Sequence, residues 1–231
     1  MVTWNIHGCF TGIDPIVDEL RRLDADVICL QEAEADTTHT GGADQAASIA
    51  RRLGMRHFSA GSPLPDGGQQ CMAILCRQNL REPAVLDAAT GRVYGVTTVI
   101  PWQGRSLRLV SVHLTSSYRP DPKHVLKTSR ARSKEATDLA KRLQQWSGQC
   151  IVAGDFNSTP GMPAYDRVAK HLAGSPTTQP TYPTDNPLLP IDHILCSKGL
   201  QVDGLSLGAT HASDHLPVLA KITLLSEDSE P

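Results

Sequence analysis

Apolar and polar positions alternate along the chain with two periods, which predicts amphipathic helices interleaved with strands. Apolar residues recur at helical spacing in four segments, which we predict to be helices: 15–23, 46–53, 129–146 and 163–173. Asp14 and Pro15 suit the start of the first helix, and Gly54 suits the end of the second. Short apolar runs without alternation at 26–31 and 150–154 are typical of strands covered on both faces.

The middle of the chain is rich in strand patterns. An antiparallel meander is predicted from four segments separated by turn-forming residues: 71–77, 81–87, 93–100 and 106–114. Further strands are predicted at 2–6, 191–197, 200–207 and 216–224. One sheet covered by helices does not accommodate so many strands, so we predict an α/β (α+β) fold with two stacked sheets and outer helices. We expect one domain over residues 1–225 and a flexible tail over residues 226–231.

Composition and charge narrow the class of protein. The chain has 231 residues, of which 40% are hydrophobic and 20% charged, and its net charge is -2. These values are typical of a globular protein and argue against a nucleic-acid binder that is basic on all faces. The six cysteines include no C-x-x-C pair, so we expect neither a structural zinc site nor a disulfide framework. No apolar stretch approaches the ~18 residues that cross a bilayer. We expect a cytoplasmic monomer, although a strand at 2–6 leaves room for an upstream leader or domain.

Polar clusters lie at the ends of six apolar strands. They are Trp4-Asn5-Ile6-His7-Gly8, Leu30-Gln31-Glu32, Ser111-Val112-His113-Leu114, Gly154-Asp155-Phe156-Asn157, Ile191-Asp192-His193 and Ser213-Asp214-His215-Leu216-Pro217. Strand ends that face one edge of a sheet gather into a single cleft. Each residue alone has an ordinary explanation: Asn5 could form a turn, and His113 could be a hydrogen-bonded core histidine. No structural rule, however, requires carboxylates or imidazoles at the ends of six buried strands.

These residue types suit metal-assisted phosphoryl transfer. The hard oxygen ligands of Glu32, Asp214 and Asn5 match a small dication such as Mg²⁺, which keeps several waters and binds phosphate. Such a metal polarises the phosphoryl oxygen and offsets the charge that develops in the transition state. An aspartate and one or two histidines can then transfer the protons of the attacking water and the leaving group.

The six clusters, in this order, resemble the signature of the endonuclease/exonuclease/phosphatase superfamily, with Gly154-Asp155-Phe156-Asn157-Ser158-Thr159-Pro160 as one of its motifs. This group includes exonuclease III-like repair endonucleases, pancreatic-type DNases, neutral sphingomyelinases and inositol polyphosphate 5-phosphatases. Ala73-Ile74-Leu75-Cys76-Arg77 is also similar to a family strand, with Cys76 in place of a serine. The resemblance covers residues 2–219.

The resemblance implies a four-layer α/β/β/α sandwich of two mainly antiparallel sheets, with the site at one end of the sheets. It implies Mg²⁺ as the cofactor, with Mn²⁺ as an alternative. Glu32 would be the principal metal ligand, and Asn5 and Asp214 would assist it.

The resemblance also implies roles for the remaining clusters. Asp155 would orient or deprotonate the attacking water, and Asn157 would hold the phosphoryl oxygen. His215 would contact the phosphate and pair with Asp192. His113 would be a second phosphate donor or acid. Because repair endonucleases have a tyrosine at that position, His113 favours the DNase, sphingomyelinase and phosphatase branches.

A basic run from Arg119 to Arg142 is the candidate substrate surface, with eight cations against three acids. We predict substrate contacts for His7, Arg119, Lys123, Lys127, Arg130 and Arg132. An ordinary solvated helix face would have the same composition. Three functions stay open: hydrolysis of a small or lipid-linked phosphoester, which we prefer, cleavage of DNA or RNA, and phosphate binding without catalysis.

Overall fold

Two β-sheets form the centre of the structure, a computed structural model that describes residues 1–173 and 178–225. The first sheet has the strand order β10-β11-β1-β2-β4-β3. Its strands are β1 (Val2–Asn5), β2 (Val27–Ala35), β3 (Arg56–Pro63), β4 (Gln69–Cys76), β10 (Leu200–Leu207) and β11 (Val218–Leu224). The β1–β2 pair is parallel and the other pairs are antiparallel. The predicted tail, 226–231, lies outside the described residues.

The second sheet has the order β5-β6-β7-β8-β9. Its strands are β5 (Arg81–Asp87), β6 (Val93–Trp102), β7 (Arg105–His113), β8 (Gln149–Asp155) and β9 (Asp192–Cys196). The β7–β8 pair is parallel and its neighbours are antiparallel. Four helices complete the described fold: α1 (Ile13–Leu23), α2 (Gln45–Leu53), α3 (Pro122–Gln145) and α4 (Pro163–Ala169).

Three apolar clusters fill the spaces between four layers. One joins α1 and α2 to the first sheet, through residues such as Leu20, Ile49 and Trp4. A second lies between the two sheets, and a third joins α3 and α4 to the second sheet. Each element buries one apolar face against its neighbour, which is the arrangement that drives layered folds. The predicted α/β/β/α sandwich with mainly antiparallel sheets is confirmed.

A polar bridge crosses the apolar layer between the sheets. Gln31 of β2 is fully buried, and its Nε2 donates to Thr3 Oγ1 in the same sheet and to Ser111 Oγ in the other, each at 3.1 Å. Ser111 Oγ in turn donates to the Leu30 carbonyl at 3.4 Å. A buried amide of this kind is tolerated because its polar atoms are paired, and it ties one sheet to the other.

Four details of the predicted elements are wrong. Strand β4 does not belong to the meander, because it pairs with β2 and β3 in the first sheet; the meander consists of β5, β6 and β7. Strand β3 was not predicted, because it is a half-exposed edge strand with no buried face in its pattern. Helix α3 begins at Pro122 rather than at 129, where Asp121 caps it by accepting a hydrogen bond from His124 N at 2.8 Å. Helix α4 ends at Ala169, whereas the sequence pattern predicted a helix over 163–173.

The six cysteines, all within the described residues, are buried and free. None of the described helices combines the length and apolar character that crossing a membrane requires.

Candidate active site

The two parallel strand pairs end at the same edge of the sandwich and bring the polar clusters of both sheets together. Asn5 ends β1 beside Gln31, and His113 ends β7 beside Asp155. The Asn5 amide Nδ2 donates to Glu32 Oε1 at 2.9 Å and to Asp155 Oδ2 at 3.1 Å. One amide therefore holds together carboxylates from opposite sheets.

A β-bulge directs Glu32 into this site. The register of β2 with β4 shifts between Leu30 and Ala33, and Glu32 between them has a positive φ of 55°. A non-glycine residue in this region costs about 1–3 kcal/mol and is held only where the surrounding structure requires it. The bulge turns the carboxylate out of the strand's alternation, as bulges beside functional sites do. Gln70 Nε2 donates to the second oxygen, Oε2, at 3.2 Å.

Asp155 is buried at the end of β8 by a tight turn of its own motif. Its Oδ1 accepts from Asn157 N at 2.8 Å, and Asn157 has a positive φ of 46°. Before it, Gly154 is required by the parallel β7–β8 pair, because a Cβ there would lie 2.0 Å from the Val112 carbonyl oxygen. Burial raises the pKa of Asp155 well above the ordinary aspartate value, and the charge of Asp192 raises it further.

His215 and Asp192 form a buried pair. His215 Nδ1 donates to Asp192 Oδ2 at 2.8 Å, and Thr181 Oγ1 donates to the same oxygen at 2.6 Å. Burial of the ring lowers its pKa, but the carboxylates of Asp192, Asp155 and Asp214, with Asp192 the strongest of them, together outweigh burial and raise the pKa of His215 to about 10. The ring is therefore protonated at neutral pH, and its Nε2 lies 3.8 Å from Asp155 Oδ2.

His113 faces the same carboxylates in the opposite charge state. Its Nε2 lies 3.6 Å from Glu32 Oε1 and 3.6 Å from Asp155 Oδ2. Burial lowers the pKa of His113, and the Arg92 charge lowers it further, although Glu32 opposes this shift. The ring is neutral at pH 7. Its Nε2 is buried and has no hydrogen-bond partner among the described residues. A buried polar atom in that position favours a ligand at the site.

His7 and Asp214 lie at the rim, with His7 Nδ1 3.4 Å from Asp214 Oδ1 and both side chains partly exposed. The His7 backbone N–H donates to Asn5 Oδ1 at 3.0 Å. In the structure as described, the Asn5 amide thus orients carboxylates with one end and the chain at His7 with the other. Asn157 Nδ2 similarly donates to the Leu114 carbonyl at 3.0 Å and steadies the segment after β7.

The basic run divides into three groups. Arg119 and Lys127 line a groove that also contains Glu32 and His113. Lys123 and Arg130 are exposed on α3 outside that groove. Arg132 differs from the expected surface cation: it is buried, and its Nη1 donates to the Thr115 carbonyl at 3.0 Å. Its position lets it support the chain after His113 from behind.

Sequence reasoning missed several residues that orient the site. Gln70 and Thr181 bond to the Glu32 and Asp192 carboxylates, and the Tyr182 ring lies 4.7 Å from the His215 ring. Arg92 Nη2 donates to the His113 carbonyl at 3.0 Å. Gln70 belongs to β4, Thr181 and Tyr182 to the loop before β9, and Arg92 immediately precedes β6. No cluster of acids or histidines in the sequence marks these positions.

Comparison with known proteins identifies the family to which the chain belongs. A model described as the Endonuclease/Exonuclease/phosphatase family matches residues 2–215. The chain belongs to this family. The resemblance drawn from the six motifs is confirmed, and members of the family are hydrolases that include nucleases and phosphatases.

Among curated proteins, the UPF0294 protein VV2535 of Vibrio vulnificus is 34% identical over 95 residues, which are 39% of this chain. The chain spans 33% of the length of that relative. Two solved structures share the fold. The 3′ phosphatase NExo from Neisseria, bound to a product DNA hairpin, has a TM-score of 0.75 at 15% identity, with 96% of this chain and 98% of that chain covered. The human Nocturnin catalytic domain with bound sulfate has a TM-score of 0.71 at 23% identity, with 97% and 93% covered.

Proposed function

We propose that this member of the family is a Mg²⁺-dependent phosphoesterase that hydrolyses a small or lipid-linked phosphoester by in-line attack of water. One observation carries the proposal: buried acidic and imidazole groups from both sheets converge at one edge. Atoms of Glu32, His113 and Asp155 lie within 4.8 Å of one another, and so do atoms of Asp155, Asp192 and His215. No packing requirement of the sandwich accounts for these two sets.

The side chains present fit a divalent cation. Glu32 is a carboxylate with 21% of its side chain exposed, and the unpartnered Nε2 of His113 lies beside it. Hard oxygens predominate, which favours Mg²⁺, with Mn²⁺ as the alternative. Glu32 would be the main ligand, and Asn5 and Asp214 would complete the protein set. When bound, the metal supplies electrophilic polarisation of a phosphoryl oxygen and charge neutralisation.

The remaining groups divide the proton transfers between them. Asp155, whose pKa is raised by burial, is suited to take a proton from the attacking water near neutral pH. His215 is held as a cation by Asp192, so its Nε2–H can donate to a phosphoryl oxygen. Neutral His113 can accept or donate at the same phosphate. Asp192 fixes the orientation of the His215 ring through Nδ1, and Thr181 in turn orients the Asp192 carboxylate.

Cleavage of DNA or RNA is the second candidate. It is favoured by the exposed cations Lys123 and Arg130 along α3, which could contact a phosphate backbone outside the first groove. The net charge of -2 favours the small ester instead, because a polyanion would depend on this one helix for its electrostatic attraction. An inactive binding module is the weakest candidate, since every expected catalytic position carries a group that can react.

The test is a Mg²⁺-dependent activity panel with the parent and Glu32→Gln. It compares bis-p-nitrophenyl phosphate, inositol phosphates and sphingomyelin with plasmid DNA and abasic DNA. We expect metal-dependent hydrolysis of a small or lipid-linked ester that Glu32→Gln loses. Efficient cleavage of DNA alone would replace the first candidate with the second. No hydrolysis of any ester, in a folded protein that still binds phosphate, would support the inactive module.

A further inference from the structure

We propose that the groove beside Glu32 and His113 binds a second phosphate group of the substrate, separate from the ester that is hydrolysed. This inference rests on the proposed function and specifies its substrate class as a small molecule with at least two phosphate groups. The groove has a volume of about 690 Å³, which is within the range of small-ligand sites. Cations that line it are Arg92, Arg119 and Lys127.

Two cations that line the groove, Arg119 and Lys127, have no acidic partner among the described residues. In the described part of the chain, neither Arg119 nor Lys127 forms an ion pair, and both are exposed. Glu32 is the acid that lines the groove, and a bound metal would offset its charge. Two unpaired cations beside a phosphoryl-transfer site therefore present positive charge that an anionic ligand can satisfy.

Hydrogen bonds among Arg92, Glu135 and Thr115 fix the floor of the groove, which is the segment that follows β7. Arg92 Nη1 pairs with Glu135 Oε1 at 2.9 Å, while its Nη2 donates to the His113 carbonyl at 3.0 Å. Glu135 is 2% exposed and also accepts from Thr115 N at 2.8 Å and Thr115 Oγ1 at 2.7 Å. These bonds hold the wall after β7 against α3. A site held in this way loses little conformational freedom on binding, which favours affinity.

Donors suited to phosphate surround this floor. The Arg119 guanidinium lies 5.2 Å from the centre of the Tyr118 ring, which limits the directions it can take. Ser116 adds a hydroxyl group to the lining, whereas the Thr115 hydroxyl donates its proton to Glu135, and Lys127 lines the groove from α3. A guanidinium, an ammonium group and a hydroxyl together match the several oxygens of a phosphate monoester. The buried, unpartnered His113 Nε2 lies where this groove meets the reacting centre.

The distribution of charge favours a small ligand over a polymer. Lys123 and Arg130, on the same helix, do not line the groove, so its cations do not continue as a stripe along a bound strand. A compact substrate with two phosphates would place one at the metal site and the other between Arg119 and Lys127.

The test uses two chromogenic esters with the same leaving group. They are thymidine 5′-(p-nitrophenyl phosphate) and the same ester carrying a 3′-phosphate. The groove variant is Arg119→Ala/Lys127→Ala. The matched control is Lys134→Ala/Lys141→Ala, which removes the same charge from exposed positions on α3 outside the groove. Because charge-assisted hydrogen bonds are each equivalent to about a tenfold effect, we expect the parent to prefer the 3′-phosphorylated ester by at least about tenfold in kcat/KM.

In the groove variant, kcat/KM should fall at least about tenfold further on the 3′-phosphorylated ester than on the plain ester, so the preference is lost, while the control should keep the parent's values for both. Equal kcat/KM for the two esters in the parent, or an undiminished preference in the groove variant, would overturn the proposal. If the parent cleaves neither thymidine ester, the activity panel alone decides the proposed function. Calorimetric binding of thymidine 3′,5′-bisphosphate in EDTA then decides the groove separately: weaker binding by the groove variant supports it, and no binding by the parent overturns it. An equal loss by both variants on single-stranded DNA, with no effect on the esters, would assign these cations to a polymer.

Discussion

Replacing Asp192 with asparagine should change the charge state of His215 and leave the fold in place. Asparagine keeps an oxygen that can accept from His215 Nδ1 and Thr181 Oγ1, which now bond at 2.8 and 2.6 Å. The change removes the carboxylate charge that raises the pKa of His215 to about 10. Burial of the ring is then opposed by the Asp155 and Asp214 charges alone, so we expect its pKa to return towards the ordinary value of about 6.5.

The size of the effect follows from that shift. At pH 8 nearly every His215 ring of the parent is charged, whereas a ring with a pKa of about 6.5 is charged in roughly one molecule in thirty. If the cationic Nε2–H donates in the rate-limiting step, kcat/KM should fall about thirtyfold at pH 8 and much less at pH 6. The alkaline limb of the rate profile should move down in pH accordingly.

The assay is the pH profile of kcat/KM on the best ester of the activity panel, together with NMR titration of the His215 ring. Asp185→Asn is the matched control, because Asp185 Oδ1 pairs with His211 Nδ1 at 3.2 Å on an exposed surface. It should leave the profile unchanged. An Asp192→Asn enzyme with the parent's alkaline limb and a rate within about threefold would refute the assigned role of the pair.

Three further results are expected. Glu32→Ala should lose most activity at sub-millimolar Mg²⁺ because the site has few protein ligands, and full activity there would remove Glu32 from it. Burial lowers the pKa of His193 to about 4, so the folded state holds this ring neutral where the unfolded chain would protonate it. The contribution of the neutral ring to folding stability is present above pH ~6.5 and is lost as the pH falls towards 4. When the pH falls from 7 to 4.5, the free energy of unfolding in urea should decrease by about 2 kcal/mol less in His193→Asn than in the parent. Equal decreases in the two proteins would contradict this. If the enzyme is a nuclease, Lys123→Ala and Arg130→Ala should each flatten the slope of log affinity against log salt by about one unit, and unchanged slopes would exclude backbone contacts there.

The position of the site was predictable because its residues follow strand ends. Asn5, His113 and Asp155 each lie at the end of an apolar run, and the parallel pairs of the two sheets bring those ends to one edge. The chain order of the motifs added the family, which the match over residues 2–215 confirms. The individual catalytic and metal-binding roles stay predictions that the experiments above test.

Which strands pair with one another was harder to predict, because the apolar pattern of a strand indicates its burial and not its partner strand. Strand β4 has the apolar pattern of a buried strand, but that pattern does not show that it pairs with β2, far away in the sequence, rather than with β5. Exposed edge strand β3 lacks even the burial signal. The positive φ of Glu32 comes from a bulge that no turn residue marks. Supporting contacts such as Thr181 to Asp192 depend on how a loop folds back, which local sequence does not specify.

The Gln31 bridge has a consequence for how disturbances in the core reach the site. The reacting groups belong to two separate sheets, so their spacing depends on how those sheets lie across a largely apolar layer, which has little directional preference. The bond from Gln31 to Ser111 fixes the alignment of the two sheets at one point in this layer. Gln31 is one residue before Glu32, and Ser111 is two residues before His113. A small shear of one sheet past the other would separate Glu32 from Asp155 and strain the bond from Gln31 to Ser111. We therefore expect the proposed hydrolysis to be a more sensitive gauge of the alignment of the two sheets than the melting temperature.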